Sequence, residues 1–390
     1  MKKKTTSQNN FKTSSVISIS ISHLVHDIYS SFLAPILPLL IEKFGISYSL
    51  VSLLSFIQKT PNIINPFIGL LADKIQMRYM VIITPVITSI SMSLLGVASS
   101  YIILAILLFV MGISSAFFHV PAPVMVKKSS GNQLGKGMSF YMIGGETART
   151  LGPLIIVGAV SLWGLEGTWR LIPFSVLASG ILFFKLRKIK VSDDIKKAER
   201  QTGIKETVKK YLSLFIVLSA FVFFRAFMRQ GLSLFLPTYF TQIKGESFEF
   251  SGIIFAVFQF SGVFGVYFAG KLSDKLGRKT ILLILSILSP VMMWFFLYSN
   301  GNFVIPFLIL LGFFLIAQGP VLLAIINDIN SDRPAFINSI YMTTNFIINA
   351  VVVIFVGILS DVFSLEIMFK FSAIFALGAI PFVFMIPKKK

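Results

Sequence analysis

Cysteine is absent from this 390-residue chain, which excludes disulfides, thiolate metal sites and cysteine nucleophiles. Charge is scarce: 13% of residues are Asp, Glu, Lys or Arg, about half of what a soluble domain carries. Histidine occurs only at 23, 26 and 119, and that spacing along the chain does not read as a metal-ligand set. No Gly-x-x-x-x-Gly-Lys-Ser/Thr loop is present, so ATP-driven pumping has no support. No Gly-x-Ser-x-Gly elbow is present either, and the chain is not expected to be an enzyme.

What is plentiful is apolar surface. Hydrophobic residues make up 55% of the chain and the mean hydropathy is +0.84, values that only a lipid environment accommodates. A bilayer is crossed by about 20 apolar residues in a helix. Gly, Pro and charge clusters divide the sequence into twelve such runs, near residues 16–41, 50–72, 80–98, 101–125, 137–160, 169–186, 211–240, 250–272, 280–298, 303–326, 336–360 and 366–386. Barrel-type alternation is missing, and open strands cannot satisfy their backbone in hydrocarbon, so the runs are expected to be helices. The first follows a basic, polar start without a small-residue cleavage site and reads as a retained helix.

The net charge of +19 invites a nucleic-acid reading, but its distribution answers to the membrane. Most Lys and Arg lie in the termini and the even-numbered loops, whereas the odd-numbered loops and flanks hold Lys43, Arg170, Lys244 and Lys370. Positive loops stay cytoplasmic. Both termini are therefore expected in the cytoplasm of a cell with this protein in its inner membrane, with lipid and not nucleic acid as the partner of the charge. The longest polar stretch, 187–210, separates six runs from six and predicts two bundles, 1–186 and 211–390.

The halves repeat a motif. GKLSDKLGRK at Gly270–Lys279 has a degraded copy, GLLADKIQMR, at Gly69–Arg78, each in the loop after the second run of its half. A half-length repeat marks a duplicated membrane protein. The motif resembles the loop signature of the major facilitator superfamily, Gly-x-Leu-x-Asp-Arg/Lys-x-Gly-Arg-Arg/Lys. The second copy matches at Gly270, Leu272, Asp274, Lys275, Gly277, Arg278 and Lys279. The first keeps Gly69, Leu71, Asp73, Lys74 and Arg78, with Gln76 and Met77 where Gly and Arg stand in the pattern. In the fifth run, Ala148, Gly152 and Pro153 resemble the Gly-x-x-x-Gly-Pro of superfamily antiporters. HLVHDIYSSFLAPILPLL, FFHVPAP and the Gly-rich fifth run are similar to the fosmidomycin-resistance branch of efflux proteins. The resemblance implies an all-α integral membrane protein of twelve transmembrane helices in two pseudo-symmetric six-helix bundles. It also implies proton-driven export of a drug-like, anionic phosphonate-type compound, with Gly69, Asp73, Arg78, Gly270, Asp274 and Arg278 acting as conformational latches.

Ionisable residues inside spans are costly and are site candidates by default. His23, His26 and Asp27 fall on one face at i, i+3 and i+4, the place for proton coupling, with a headgroup location as the alternative for His23. Glu146 and Arg149 can pair within their helix, either as a coupling pair with Asp27 or as a packing pair. Arg225 and Arg229, four apart, present two guanidinium groups suited to a carboxylate, phosphate or phosphonate, with Lys59 and Arg149 opposite; pairing with Glu146 or Asp27 is the alternative. Gln318, Tyr341 and Asn345 add a polar stripe expected to face substrate. His119 reads equally as packing or ligand. The expected function is secondary active transport by a monomer, a proton antiporter exporting a small organic anion or amphiphile and drawing on the proton gradient, with no cofactor and no metal. Uptake or exchange of an organic anion such as a sugar phosphate is the rival within transport, and a membrane sensor is the rival outside it.

Overall fold

The computed structural model describes residues 11–65, 68, 77–187, 204–329 and 334–386. Their regular structure is all helical, with no strand among them. In chain order the helices are α1 (Thr13–Ser30), α2 (Leu33–Phe44), α3 (Tyr48–Lys59), α4 (Met77–Ser93), α5 (Tyr101–His119), α6 (Pro121–Ser129), α7 (Leu134–Trp163) and α8 (Ile172–Leu186). The second half supplies α9 (Ile204–Thr238), α10 (Phe248–Leu276), α11 (Arg278–Tyr298), α12 (Val304–Ile316), α13 (Gln318–Asn327), α14 (Pro334–Phe363), α15 (Leu365–Leu377) and α16 (Ile380–Met385).

The breaks follow proline chemistry. Pro35 cannot donate to the Ser31 carbonyl, and the helix divides there into α1 and α2, which together make one span, Thr13–Phe44. Pro61 turns the end of α3 into a tight 3-10 segment, Thr60–Ile64. Pro121 and Pro320 mark the α5/α6 and α12/α13 breaks in the same way. Serine caps start several helices: Ser47, Ser100, Ser247 and Ser364 each accept a backbone N–H three residues on.

Among the described residues, ten helices are long and apolar enough to cross a bilayer. Two of the twelve expected runs are not among them. The run at 50–72 is described only in part. The run at 137–160 is the 30-residue α7, about 45 Å long at 1.5 Å per residue, but Lys136, Glu146, Arg149 and its glycines make it too polar to qualify on composition alone.

Packing divides the chain into two compact units, one taking residues up to Phe32 and again from Ile64 through α8, the other taking Leu33–Ile63 with the whole second half. The grouping thus crosses the 186/187 sequence boundary by giving α2 and α3 to the second unit. In the first unit, α1 lies directly on α7. A Cβ at Gly144 would meet the Ser20 carbonyl, one at Gly145 the His23 ring, and one at Gly152 the Ser31 hydroxyl and the Ile28 carbonyl. Gly144, fully buried Ala148 and Gly152 form a small-residue stripe that brings the two backbones together. The core beside it comprises Ile19, Val81, Phe118, Met125, Tyr141 and Leu182. The second unit is built around Phe221, Leu285, Leu322 and Tyr341, with the Phe224 ring stacked on Phe382 and tilted against Phe375. There α10 and α12 approach through Gly262, Gly265 and Gly312.

Candidate functional site

In the first unit one carboxylate collects three imidazoles. Asp27 is 4% exposed and His26 fully buried. His23 Nε2 lies 3.2 Å from Asp27 Oδ2 and His26 Nδ1 lies 2.8 Å from Oδ1. His119, at the end of α5, brings its Nε2 to 3.4 Å from Oδ1 while its side chain stays 36% exposed. Tyr141 on α7 completes the group, with its carbonyl accepting from His23 Nδ1 at 2.8 Å and its hydroxyl 3.5 Å from His119 Nδ1. The rings are held flat against neighbours, His23 on Tyr141 at 4.0 Å and His26 on Phe118 at 4.4 Å between centroids. His26 Nε2 has no hydrogen-bond partner.

The hydrogen-bond roles in this group are constrained. A carbonyl only accepts, so His23 Nδ1 carries hydrogen. In a neutral ring Nε2 is then a lone pair facing a carboxylate oxygen, an arrangement that requires a positive centre between them. A proton meets that need whether it resides on His23 or on Asp27. Helical spacing identifies His23, His26 and Asp27 in the sequence. Tyr141 carries no such signal, because its contribution is a backbone oxygen, and His119 is distinguished in the sequence only by the rarity of histidine.

Glu146 and Arg149 form the expected pair at 3.1 Å, with Arg149 on the open side and in electrostatic reach of Asp27. In the second unit Lys59 donates to Gln230 Oε1 at 2.7 Å, Gln230 Nε2 donates to Asn349 Oδ1 at 2.6 Å, and Asn349 Nδ2 donates to the Asn345 carbonyl at 2.6 Å. Arg229 lies near Lys59. Arg225 faces Tyr341, and its Nη1 is buried without a hydrogen-bond partner. Neither Lys59 nor Arg225 has a carboxylate at ion-pair distance among the described residues. Tyr341 and Asn345 line a small pocket between α9 and α14 together with Ser219 and Val222. Gln230 escaped the sequence reading because an amide beside two arginines has no period of its own. Gln318 stands apart from this set: it is 1% exposed and donates to Leu285 and Ser289 of α11.

Of the latch residues, Gly69 and Asp73 lie outside the described residues, and Arg78 places its guanidinium over the Tyr79 ring. In the second copy Arg278 binds Asp274 at 2.6 Å, Asp328 at 3.3 Å and the Ser273 hydroxyl at 2.6 Å. Gly277 takes φ +92° to make that turn.

The family model of the Major Facilitator Superfamily matches residues 19–329 and again 218–390. The chain belongs to that superfamily. Among its relatives is the fosmidomycin resistance protein of Escherichia coli (strain K12), 22% identical over 371 residues, covering 94% of this chain and 91% of that one. An uncharacterized MFS-type transporter of Bacillus subtilis (strain 168), YfnC, is 22% identical over 284 residues, covering 69% and 67%. Solved superfamily folds superpose over almost the whole chain. A bacterial homolog of the human lysosomal transporter Spinster, inward-facing and occupied, has TM-score 0.82 at 16% identity with 96% and 97% coverage. The nucleoside transporter NupG has TM-score 0.78 at 12% identity with 97% and 100% coverage. These likenesses establish an all-α, multi-pass membrane transporter fold.

Proposed function

We propose that this superfamily member is a proton-coupled antiporter that exports a small organic anion or anionic amphiphile across the inner membrane, as a monomer with both termini cytoplasmic. The observation that carries the anionic substrate is the buried Nη1 of Arg225, which lacks a hydrogen-bond partner, together with Lys59; neither side chain has a carboxylate at ion-pair distance among the described residues. A buried guanidinium nitrogen left without an acceptor in a span is costly, and an incoming carboxylate, phosphate or phosphonate supplies the missing acceptor. Arg229, Tyr341 and Asn345 extend the same surface, and Arg149 adds a cation in the first unit. The name of the E. coli relative, fosmidomycin resistance protein, favours export over uptake.

Coupling is assigned to Asp27 with His23 and His26. A proton held between Asp27 and His23 neutralises the carboxylate, and its release frees a charge that Arg149 can pair with in competition with Glu146. Alternating access supplies the two sides. The test uses everted membrane vesicles, a pH-sensitive dye and a panel of organic anions that includes phosphonates. Addition of a substrate releases protons from the acidified lumen. Arg225→Ala raises the half-saturating concentration at least about tenfold, in keeping with loss of a charge-assisted contact, while Asp27→Asn abolishes the proton signal. Anion movement with unchanged affinity in Arg225→Ala, or proton-linked movement in Asp27→Asn, sinks the assignment. Anion accumulation in right-side-out vesicles instead identifies uptake or exchange.

A further inference from the structure

The group around Asp27 has a second chemical capacity. We infer that His23 Nε2, an Asp27 carboxylate oxygen and His119 Nε2 form a three-ligand site for a divalent transition metal of the zinc class. The inference stands on geometry and does not depend on the transport reading. The ligand atoms of these three residues all lie within 4.8 Å of one another. His23 Nε2 stands 3.2 Å from Asp27 Oδ2 and His119 Nε2 stands 3.4 Å from Oδ1. Ligands bound tetrahedrally at about 2.0–2.2 Å stand about 3.3–3.6 Å apart, and each imidazole already stands close to that spacing from one of the two carboxylate oxygens.

The surroundings are those of a metal ligand set. His23 donates Nδ1–H to the Tyr141 carbonyl at 2.8 Å, which holds the tautomer that aims the Nε2 lone pair at the site, as outer-shell carbonyls do for metal-bound histidines. The Tyr141 hydroxyl stands on the far side of His119. Two imidazoles and one carboxylate suit Zn²⁺, Co²⁺ or Ni²⁺ and not a hard cation such as Mg²⁺. One dication placed among the three satisfies both imidazole lone pairs and the carboxylate at once, where hydrogen bonding requires a separate proton for each imidazole. The half-exposed His119 supplies the open side for entry and for a water as fourth ligand. The remaining titratable or charged groups facing Asp27 are His26, which donates to Oδ1 and is sealed against Phe118, and Arg149, whose charge opposes the dication and whose pairing with Glu146 tempers that opposition. Sequence spacing along one helix does not reveal this set, because the third ligand arrives from α5.

The test is Co²⁺ titration of the purified, tag-free full chain in lipid nanodiscs, read by the visible d–d absorption of the bound ion. A saturable one-to-one spectrum of imidazole and carboxylate ligation is expected, with Zn²⁺ displacing Co²⁺ and protons released on binding. His119→Gln, at a half-exposed side chain that leaves the core intact, weakens Co²⁺ binding at least about tenfold, and Asp27→Asn does the same. Absence of saturable Co²⁺ binding overturns the site, as does binding that His119→Gln leaves unchanged. Because the readout is metal binding and not transport, a chain that binds Co²⁺ yet moves no anion supports this site while overturning the transport assignment.

Discussion

At the scale of single residues, close approach and hydrogen-bond roles decide what the first unit can do. Gly144 on α7 leaves room for the Ser20 carbonyl of α1, and any side chain there must push the helices apart. Overpacking of this kind costs about 1–3 kcal/mol. Gly144→Val is expected to lower the thermal midpoint of the detergent-solubilised protein by several degrees and to weaken every readout that depends on Asp27. An unchanged midpoint would mean that α1 and α7 are farther apart than the structure has them. His23, His26 and Asp27 were legible as one face because helical periodicity is a local property. His119 and Tyr141 were not, because nothing local to α5 or α7 states that they meet α1. The same reasoning separates the basic residues. Lys59, Arg225 and Arg229 were legible as costly charges in apolar runs, whereas the amide chain through Gln230 and Asn349 that holds Lys59 depends on three helices meeting.

At the scale of elements, α3 is tied to α14 by a carboxylate. Asp361 Oδ1 and Oδ2 accept the backbone N–H groups of Tyr48 and Ser49, each at 2.8 Å, and Tyr48 Oη meets Gln242 at 2.9 Å. The first turn of a helix carries unsatisfied donors and a partial positive charge, so a carboxylate there caps it. Gly357 permits the contact, since a side chain there would strike Ser52 and the Tyr48 carbonyl. Loss of such a cap costs about 1 kcal/mol. Asp361→Ala should therefore speed hydrogen exchange at the amides of Tyr48 and Ser49 while leaving α10 and α12 protected. Unchanged exchange at Tyr48 and Ser49 would show that the cap contributes nothing to holding α3. Residue 361 gave no signal in the sequence, where it is one acid at the end of an apolar run. The breaks at Pro35 and Pro121, by contrast, answer to backbone chemistry within four residues, although the hydropathy runs 16–41 and 101–125 pass straight across them.

At the scale of the whole molecule, the placement of Lys and Arg sets the expected orientation in the membrane. Because the chain has no cysteine, single-cysteine labelling reads topology without background. A membrane-impermeant thiol reagent added to intact cells is expected to label Asn300→Cys, in the loop after α11, and to spare Ser192→Cys, in the polar stretch between the halves. The opposite pattern would invert the topology. The sequence alone was enough for the membrane class, the helical content and the superfamily, because hydropathy, proline breaks and a ten-residue motif are written in contiguous residues. Tertiary structure alone decided that α2 and α3 pack with the second half, that His119 completes the group on Asp27, and that Gln318 is bound to α11 and away from the cationic set. The physical reason is range. Periodicity and backbone propensity act over a few residues, while the partners of a buried charge are chosen by which helices come into contact.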